Sequence, residues 1–272
     1  YNDGNGPDSG HVRIYQNIGG TWTKIGSDID GEADYDLSGV SVSLSSDGSV
    51  VAIGAPVNNG NGIRSGHVRL YQNVNNTWTQ IGSDIDGESS FNYLGHSVSL
   101  STDGSVVAIG AFGNDGNGND SGHVRIYRNI NGTWNQVGSD IDGEADGDRS
   151  GMSVSLSSDG SVVAIGADSN DGINGSNSGH VRIYKNINNN WIQVGTDIDG
   201  EAVEDFSGSS VSLSTDGSVV AIGATYNDGN ENRSGHVRIY NTGIGTNPRI
   251  KGPSGSAGDS LSSVSVNENQ TT

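Results

Sequence analysis

One histidine recurs along the chain at a fixed position of a heptapeptide that reads SGHVRIY or SGHVRLY. Five of the six histidines occupy this position: His11, His67, His123, His180 and His236. Histidine is a common metal ligand and the usual acid–base group near neutral pH. The repeated residue is therefore a candidate both for metal binding and for acid–base catalysis. Because successive copies lie 56 or 57 residues apart, we expect each to sit in its own structural unit, too far from the next to share a zinc ion. The chain also lacks cysteine and any recognisable serine nucleophile motif, so we predict no catalytic residue and no enzyme.

Carboxylate and amide side chains cluster in glycine-containing segments between the repeated motifs. Calcium prefers several oxygen ligands on flexible loops, and the segment NDGNGND offers an Asp-x-Asn-x-Asn-Asp spacing. A less complete version stands near the amino terminus. Asp and Asn also close turns through hydrogen bonds to nearby backbone, so turn chemistry is the competing interpretation and both stay open. The candidate calcium ligands are Asp115, Asn117, Asn119 and Asp120, and in the poorer segment Asp3, Asn5 and Asp8.

The segment Asp-Ile-Asp-Gly-Glu occurs four times without change. In a strand, alternate residues share a face, so Asp28 and Asp30 would point to one side and Ile29 to the other. The arginine of the heptapeptide recurs with the same period and carries the opposite charge. We therefore predict that Asp28, Asp30 and their repeats form structural ion pairs between neighbouring units, with Arg13, Arg69, Arg125, Arg182 and Arg238.

Six Asn-x-Ser/Thr sequences are candidate glycosylation sites. In so asparagine-rich a chain several would arise by chance, which weakens the indication. They stand at Asn75, Asn119, Asn131, Asn174, Asn232 and Asn269.

The elements that must position these residues follow a 56-residue repeat. Within one period, GVSVSLSSDG alternates apolar and polar residues, SVVAIGA is a short apolar run, and HVRLYQN and TWTQIGSDI supply two further strand patterns. Asn-Gly and Asp-Gly turns separate these segments, and no segment has the period of a helix. Four antiparallel strands per unit are typical of propeller blades, and we predict an all-β propeller of four or five blades. A β-solenoid is the alternative, although its coils are usually shorter and its strands parallel.

One stretch of the repeat, DLSGVSVSLSSDGSVVAIGAP at 36–56, resembles the FG-GAP repeat of integrin alpha-chain propellers and bacterial surface proteins. The "FG" position reads Ser-Gly or Leu-Gly, and the "GAP" position begins Gly-Ala in all four copies. The resemblance extends over residues 1–241 and implies an extracellular propeller. The family's longer calcium motif is absent here, because the corresponding turn has shrunk to Ser-Asp-Gly or Thr-Asp-Gly.

Composition narrows the classes of partner. A formal net charge of −19 disfavours nucleic acid and anionic membranes, and no apolar run is long enough for membrane insertion. The hydrophobic fraction of 31% suits many thin layers better than one thick core. The chain has no evident signal peptide and opens inside a repeat, so we expect a processed or partial chain.

Three segments follow from the repeat boundaries. We assign residues 1–241 to the propeller, 242–260 to a Gly/Ser/Pro linker, and 261–272 to a terminal strand. This strand resembles the start of a cadherin-like module. It could also act as a donor strand that pairs with another copy and supports self-assembly.

These observations lead to a functional prediction. The sequence favours a non-catalytic adhesion or structural assembly protein, extracellular or at the cell surface, that presents an acidic loop face to a protein or glycan. We also expect that its binding depends on calcium and that the protein polymerises into filaments. The alternative is a glycan-binding, lectin-like propeller that uses the repeated tryptophans as sugar platforms.

Overall fold

A computed structural model of the chain describes residues 4–229, 231–244 and 264–265. The described part is entirely β, without a helix, and its strands pair antiparallel in successive sheets. This confirms the predicted propeller of four-stranded antiparallel blades and excludes the parallel coils of a solenoid. None of the described residues forms a helix long and apolar enough to cross a membrane.

Three repeats form complete blades, called blades I, II and III. In each, four strands follow one another across the sheet, and a short fifth strand pairs with the third. Blade I contains β5 (Ser41–Leu44), β6 (Val50–Ala55), β7 (His67–Val74), β8 (Thr77–Gln80) and β9 (Ile85–Asp86). Blade II contains β10 (Ser97–Leu100), β11 (Val106–Ala111), β12 (His123–Ile130), β13 (Thr133–Gln136) and β14 (Ile141–Asp142). Blade III contains β15 (Ser153–Leu156), β16 (Val162–Ala167), β17 (His180–Ile187), β18 (Asn190–Gln193) and β19 (Ile198–Asp199).

The fourth predicted strand of each repeat is split in two. In blade I the segment 77–85 becomes β8 and the two-residue β9, because the backbone bends at Gly82, whose φ is +74°. Only a glycine adopts such a φ without strain. β9 then returns to β7, where Asp86 lies opposite His67.

Partial units lie before blade I and after blade III. The amino-terminal unit holds β1 (His11–Val12), β2 (Tyr15–Ile18), β3 (Thr21–Lys24) and β4 (Ile29–Asp30). Blade IV holds β20 (Ser207–Leu213), β21 (Val219–Ala224), β22 (His236–Asn241) and β23 (Val264–Ser265). Within the described residues the amino-terminal strands pair only with each other.

β23 pairs antiparallel with β22 of the same chain, with Val264 opposite Ile239. Nearly all of the linker and most of the terminal segment lie outside the described residues. The division into 1–241, 242–260 and 261–272 therefore stays a prediction.

The hydrophobic core lies between blades rather than inside any one of them. Every residue of β6, β11 and β16 is buried, as expected for a strand covered on both faces. Leu70 of blade I packs with Val107 and Ile109 of blade II in one cluster, and the next junction repeats the pattern. Each unit is therefore stabilised by its neighbours, which explains how 31% hydrophobic residues suffice.

Serines of the first strands connect neighbouring blades. Ser43 Oγ accepts a hydrogen bond of 2.9 Å from the backbone N–H of Leu100, and the contact recurs between Ser99 and Leu156. The serine face of the SVSL strands thus binds the next blade.

The glycines of the "FG" and "GAP" positions face each other across each junction between complete blades. A methyl carbon added at Gly54 would lie 2.0 Å from the carbonyl oxygen of Gly95. Only glycine permits two backbones to approach so closely.

Tryptophans bind each of the three complete blades to the unit before it. The indole N–H of Trp78 donates to the Ile25 carbonyl at 2.9 Å, and Trp134 donates to Ile81 at the same distance. Trp22 in the amino-terminal unit is 68% exposed.

Candidate functional site

One end of the blades, which we call the loop face, carries the long acidic loops. It consists of the loops after β6, β11, β16 and β21 together with those after β4, β9, β14 and β19. Parallel bridges such as Gly66 with Leu94 join one loop of each set. The buried carboxylate of Asp36 accepts hydrogen bonds from two backbone N–H groups of its own loop and from Asn58 Nδ2 of the next blade. The loop face is therefore an ordered surface, anchored across the junctions.

Beneath this face, three of the four junctions between the described units bring together one glutamate, one histidine and one aspartate, which we call a junction cluster. In the first, His67 Nδ1 lies 3.8 Å from a Glu32 oxygen and 3.9 Å from an Asp84 oxygen. Glu32 belongs to the preceding unit, whereas His67 and Asp84 belong to blade I. The other two are Glu88–His123–Asp140 and Glu144–His180–Asp197. In each cluster the donor atoms lie within 4.8 Å of one another, so these acidic and histidine groups could hold a metal ion. A further group of this kind, His11, Asp28 and Asp30, lies in the amino-terminal unit.

The histidines of these clusters are buried and neutral near pH 7. Burial lowers the pKa of His67, and it lowers the pKa of His123 and His180 to about 4. Neighbouring arginines add to the shift, while the carboxylates oppose it. A nitrogen lone pair is therefore available to a cation at neutral pH.

The structure places the predicted ion-pair residues in two kinds of contact. Within one unit, Arg13 binds Asp28 at 2.7 Å, and the arginine lowers the pKa of that carboxyl. Asp30 contributes its backbone carbonyl, which accepts a 2.7 Å hydrogen bond from Arg69 Nη2.

Across the junctions, the carboxylate partner of each arginine is a glutamate. The pairs are Arg69 with Glu32 at 3.4 Å, Arg182 with Glu144 at 3.6 Å, Arg125 with Glu88, and Arg238 with Glu201. This glutamate was not predicted from the sequence, because it follows the strand and the alternation of residues along a strand does not place it.

The cluster arginines adopt two arrangements. Arg125 donates from Nε and Nη2 to the two oxygens of Asp140, at 3.0 and 2.8 Å. Arg69 and Arg182 instead donate Nη2 to a backbone carbonyl of the preceding unit, and their buried Nε groups have no hydrogen-bond partner among the described residues. In the repeated cluster, the arginine side chain can therefore either bind the aspartate carboxylate or turn away from it to a backbone carbonyl.

The predicted calcium ligands make hydrogen bonds within and between loops. Asp115 Oδ1 accepts from the backbone N–H of Asp120 at 2.9 Å, and Asn117 Nδ2 donates to the Gly143 carbonyl at 2.9 Å. Asn119 uses its backbone N–H to bind Asp146. The Asp115–Asp120 bond closes a turn within one loop, as turn chemistry predicts, whereas the other two bonds join neighbouring loops.

In the amino-terminal segment, Asn5 donates to the Gly31 carbonyl at 3.0 Å, and Asp8 has a φ of +53°. Asp3 lies outside the described residues. Of the glycosylation candidates, five are exposed, namely Asn75, Asn119, Asn131, Asn174 and Asn232, and Asn269 lies outside the described residues.

A cavity of about 500 Å³ opens on the loop face at the junction of blades I and II; we call it the aromatic pocket. The Tyr93 and Phe112 rings stack with centroids 4.9 Å apart and an interplanar angle of 8°. His96 packs edge-on against Phe112 at 4.7 Å. The residues that give the pocket its chemistry are Phe91, Tyr93, Phe112, Asp115, Asp120 and Arg149.

The aromatic pocket arises where the repeat departs from itself. The position of Tyr93 is Leu37, Arg149 or Phe206 in other units. The position of Phe112 is Pro56, Asp168 or Thr225, and that of His96 is Val40, Met152 or Ser209. From the sequence the loops looked equivalent, and of the residues of this pocket only Asp115, Asn119 and Asp120 were named, as candidate calcium ligands. The signal that could have found it is a cluster of departures at positions that the fold brings together.

A second cavity, of about 450 Å³, occupies the equivalent place at the junction of blades III and IV. There Glu204 stands at the position of Phe91, and Arg233 at that of Asp120. Arg233 lies 5.2 Å from the Tyr226 ring centroid and 3.7 Å from Glu204. With Asp228, this cavity also has two carboxylates and one guanidinium, so the two cavities differ in their rings: Phe206 and Tyr226 meet edge-on at 5.3 Å, whereas Tyr93 and Phe112 stack.

Comparison with known proteins identifies a fold but no family. No family profile and no curated protein matches the chain. Among solved structures, the periplasmic gluconolactonase of Pseudomonas aeruginosa is 13% identical with a TM-score of 0.59, covering 100% of this chain and 68% of that one. A candidate 6-phosphogluconolactonase from Bacteroides fragilis is 11% identical with a TM-score of 0.55, covering 94% of this chain and 65% of that one. The chain thus spans about two thirds of the length of these propellers, and at these identities the likeness shows the fold.

This comparison corrects the functional predictions made from the sequence. The prediction of a non-catalytic adhesion or assembly protein is wrong, because the solved structures that share this fold are described as lactonases, which are enzymes. The associated predictions of protein or glycan partners at a cell surface, filaments, and self-assembly through the terminal strand are overturned with it.

The lectin-like alternative gains no support either. Its sugar platforms were the repeated tryptophans, but Trp78 is only 9% exposed, and the indoles of Trp78, Trp134 and Trp191 bind the preceding unit.

Proposed function

We propose that this protein hydrolyses small carbohydrate-derived lactones in the aromatic pocket. The observation that carries the proposal is the stacked pair of aromatic rings beside two carboxylates and a guanidinium, because the second cavity has similar charged groups but no stacked rings. Its volume of about 500 Å³ falls within the usual range for small-molecule sites. The fold likeness to proteins described as lactonases supports the same reaction class.

The lining residues match the needs of lactone hydrolysis. Water adds to the ring ester carbonyl, the ring C–O bond breaks, and the alkoxide takes a proton to give a hydroxy acid. A carboxylate, Asp115 or Asp120, would accept the proton of the attacking water and return it to the leaving oxygen. The Arg149 guanidinium would stabilise the oxyanion or the product carboxylate. Tyr93 and Phe112 would bind the apolar face of the sugar ring.

The geometry favours Asp115 as a well-held carboxylate. Its Oδ1 atom is fixed by the Asp120 N–H, and the side chain belongs to an exposed part of the pocket wall. Asparagine at this position would keep the acceptor oxygen and remove the base. The loop should therefore persist in the variant while proton transfer is lost.

The test measures acid release from glucono-1,5-lactone above the uncatalysed rate. We expect kcat/KM to fall about 100-fold or more in Asp115→Asn or Asp120→Asn, whichever is the base. Asp228→Asn, at the equivalent position of the second cavity, is the matched control and should match the unmodified protein. Absence of hydrolysis above background, or equal rates in all three variants, would refute the proposal.

Three expectations from the sequence remain proposals. We propose that the protein resides outside the cytoplasm, supported by the periplasmic gluconolactonase among its structural neighbours, and cell fractionation tests it. The facing glycines support an FG-GAP type of repeat. Calcium binding by Asp115, Asn117, Asn119 and Asp120 would engage the same carboxylates as catalysis, and activity assayed with calcium and then with a chelator tests it.

A further inference from the structure

We propose that Glu88, His123 and Asp140 bind a divalent transition-metal ion at the junction of blades I and II. The donors are one histidine nitrogen and one oxygen from each carboxylate, all within 4.8 Å of one another. This site lies in the junction cluster, involves none of the residues assigned to lactone hydrolysis, and stands independently of that activity.

An unpartnered nitrogen points to the ion. His123 is 1% exposed, and its Nδ1 atom has no hydrogen-bond partner among the described residues. The nearest carboxylate oxygen, Asp140 Oδ2, is 3.6 Å away, beyond hydrogen-bond range. Two donors that each bind zinc at about 2.0–2.2 Å are separated by roughly 3–4 Å, so an ion between these atoms would satisfy both.

The donor set selects the class of cation. Imidazole with two carboxylates suits zinc and other first-row divalent ions. Calcium takes oxygen ligands almost entirely and would leave the nitrogen unused. We therefore assign the site to a transition metal and expect it to discriminate against calcium.

Arg125 is the competitor that an ion must move. Its Nη2 binds Asp140 Oδ2, the oxygen that faces His123, and also pairs with Glu88, so an ion must displace this nitrogen from both carboxylates. Its Nε binds the other Asp140 oxygen and could stay in place to orient that carboxylate. The other junctions show that the guanidinium has another position. Arg69 donates to the Asp30 carbonyl, and Asp84 has no arginine contact among the described residues but accepts from Gln80 Nε2 at 2.6 Å.

The experiment titrates the full chain with zinc chloride by calorimetry and measures retained zinc after dialysis. We expect Glu88→Gln and His123→Asn each to weaken zinc binding at this junction at least tenfold and to reduce the retained zinc by one equivalent. Glu88 is half exposed at the side chain, so Glu88→Gln should fold normally even if His123→Asn does not. Glu204→Gln, an exposed glutamate paired with Arg233 outside any cluster, is the matched control.

The outcomes are decisive in both directions. Zinc binding that Glu88→Gln weakens and that excess calcium does not displace supports the site. Absence of zinc binding at millimolar concentration, equal binding in Glu88→Gln and the control, or displacement by equimolar calcium overturns it. Because no lactone is present, failure here leaves the proposed hydrolysis unaffected.

Discussion

Replacing one glycine between two blades tests whether close backbone contact holds the propeller together. At Gly110, a methyl carbon would lie 2.0 Å from the Gly151 carbonyl oxygen of the next blade and 2.4 Å from Ser97 Oγ of its own blade. Ordinary carbon–oxygen contacts begin near 3.3 Å, so blades II and III would have to separate by roughly 1 Å. The Ser97 hydroxyl, which donates to the same carbonyl at 2.8 Å, would lose that partner.

The expected magnitude follows from overpacking. Forcing extra atoms into a packed contact lowers the free energy of unfolding by roughly 1–3 kcal/mol. The alanine also restricts the unfolded chain, which raises the free energy of unfolding by roughly 0.4–1 kcal/mol. Gly223→Ala is the matched control. It stands in the same VVAIGA segment and meets the equivalent Ser210 Oγ at 2.4 Å, but no following blade lies against it in the described part of the chain. The difference between the two variants isolates the contact between blades.

We expect Gly110→Ala to unfold at a free energy about 2 kcal/mol lower than Gly223→Ala, measured by urea denaturation with tryptophan fluorescence. For a chain of this size the difference corresponds to about 4–8 °C in melting temperature. Equal stability of the two variants would refute the reasoning, since it would mean that the blades do not approach closely at the paired glycines.

Further predictions concern the indoles and the acidic turns. Trp134→Phe should destabilise the folded protein by roughly 1–2 kcal/mol, because the Ile81 carbonyl loses its hydrogen-bond donor. The exposed Trp22 provides the control, and Trp22→Phe should change stability by less than about 0.5 kcal/mol. Equal effects of the two substitutions in thermal melting would contradict the role of the indole N–H. Hydrogen bonds from Ser49 and Ser45 lower the pKa of Asp47 to about 2, and Ser218 and Ser214 do the same for Asp216. These depressed values stabilise the fold above pH 4, and the contribution is lost as pH falls through about 2. The melting temperature between pH 4 and 2 should therefore fall less steeply when the turn aspartates Asp47, Asp103, Asp159 and Asp216 are all replaced by asparagine. An unchanged slope would show that these turns do not contribute to the loss of stability in acid.

The sequence was sufficient to predict the first three strands of each repeat, since alternation and turn residues act within one repeat. The apolar run before each heptapeptide became a buried strand as expected, because both of its faces are covered. It was not sufficient for contacts across junctions. Glu32 reaches Arg69 and His67 from the preceding unit, and no periodicity indicates which unit a side chain will face.

Burial also depends on the neighbouring unit. Val42 and Leu44 occupy the apolar face of β5 yet are about half exposed, whereas Leu100 and Leu156 at the equivalent position in blades II and III are buried. The amino-terminal unit, as described, has no first strand to cover β5. An identical sequence thus acquires a different environment from its place in the array.

The same logic explains where a repeat protein can acquire a specific site. Junction residues such as Gly110 and Trp134 are constrained by backbone contacts on both sides, so a change there disturbs two blades. Loop residues meet solvent on one side, and a ring at Tyr93 or Phe112 adds a binding surface without altering the strands below. The departures at 93 and 96 lie beside the one at 112 because the fold places successive loops side by side. A function that requires one site among equivalent junctions is therefore most readily built from loop residues that break the repeat.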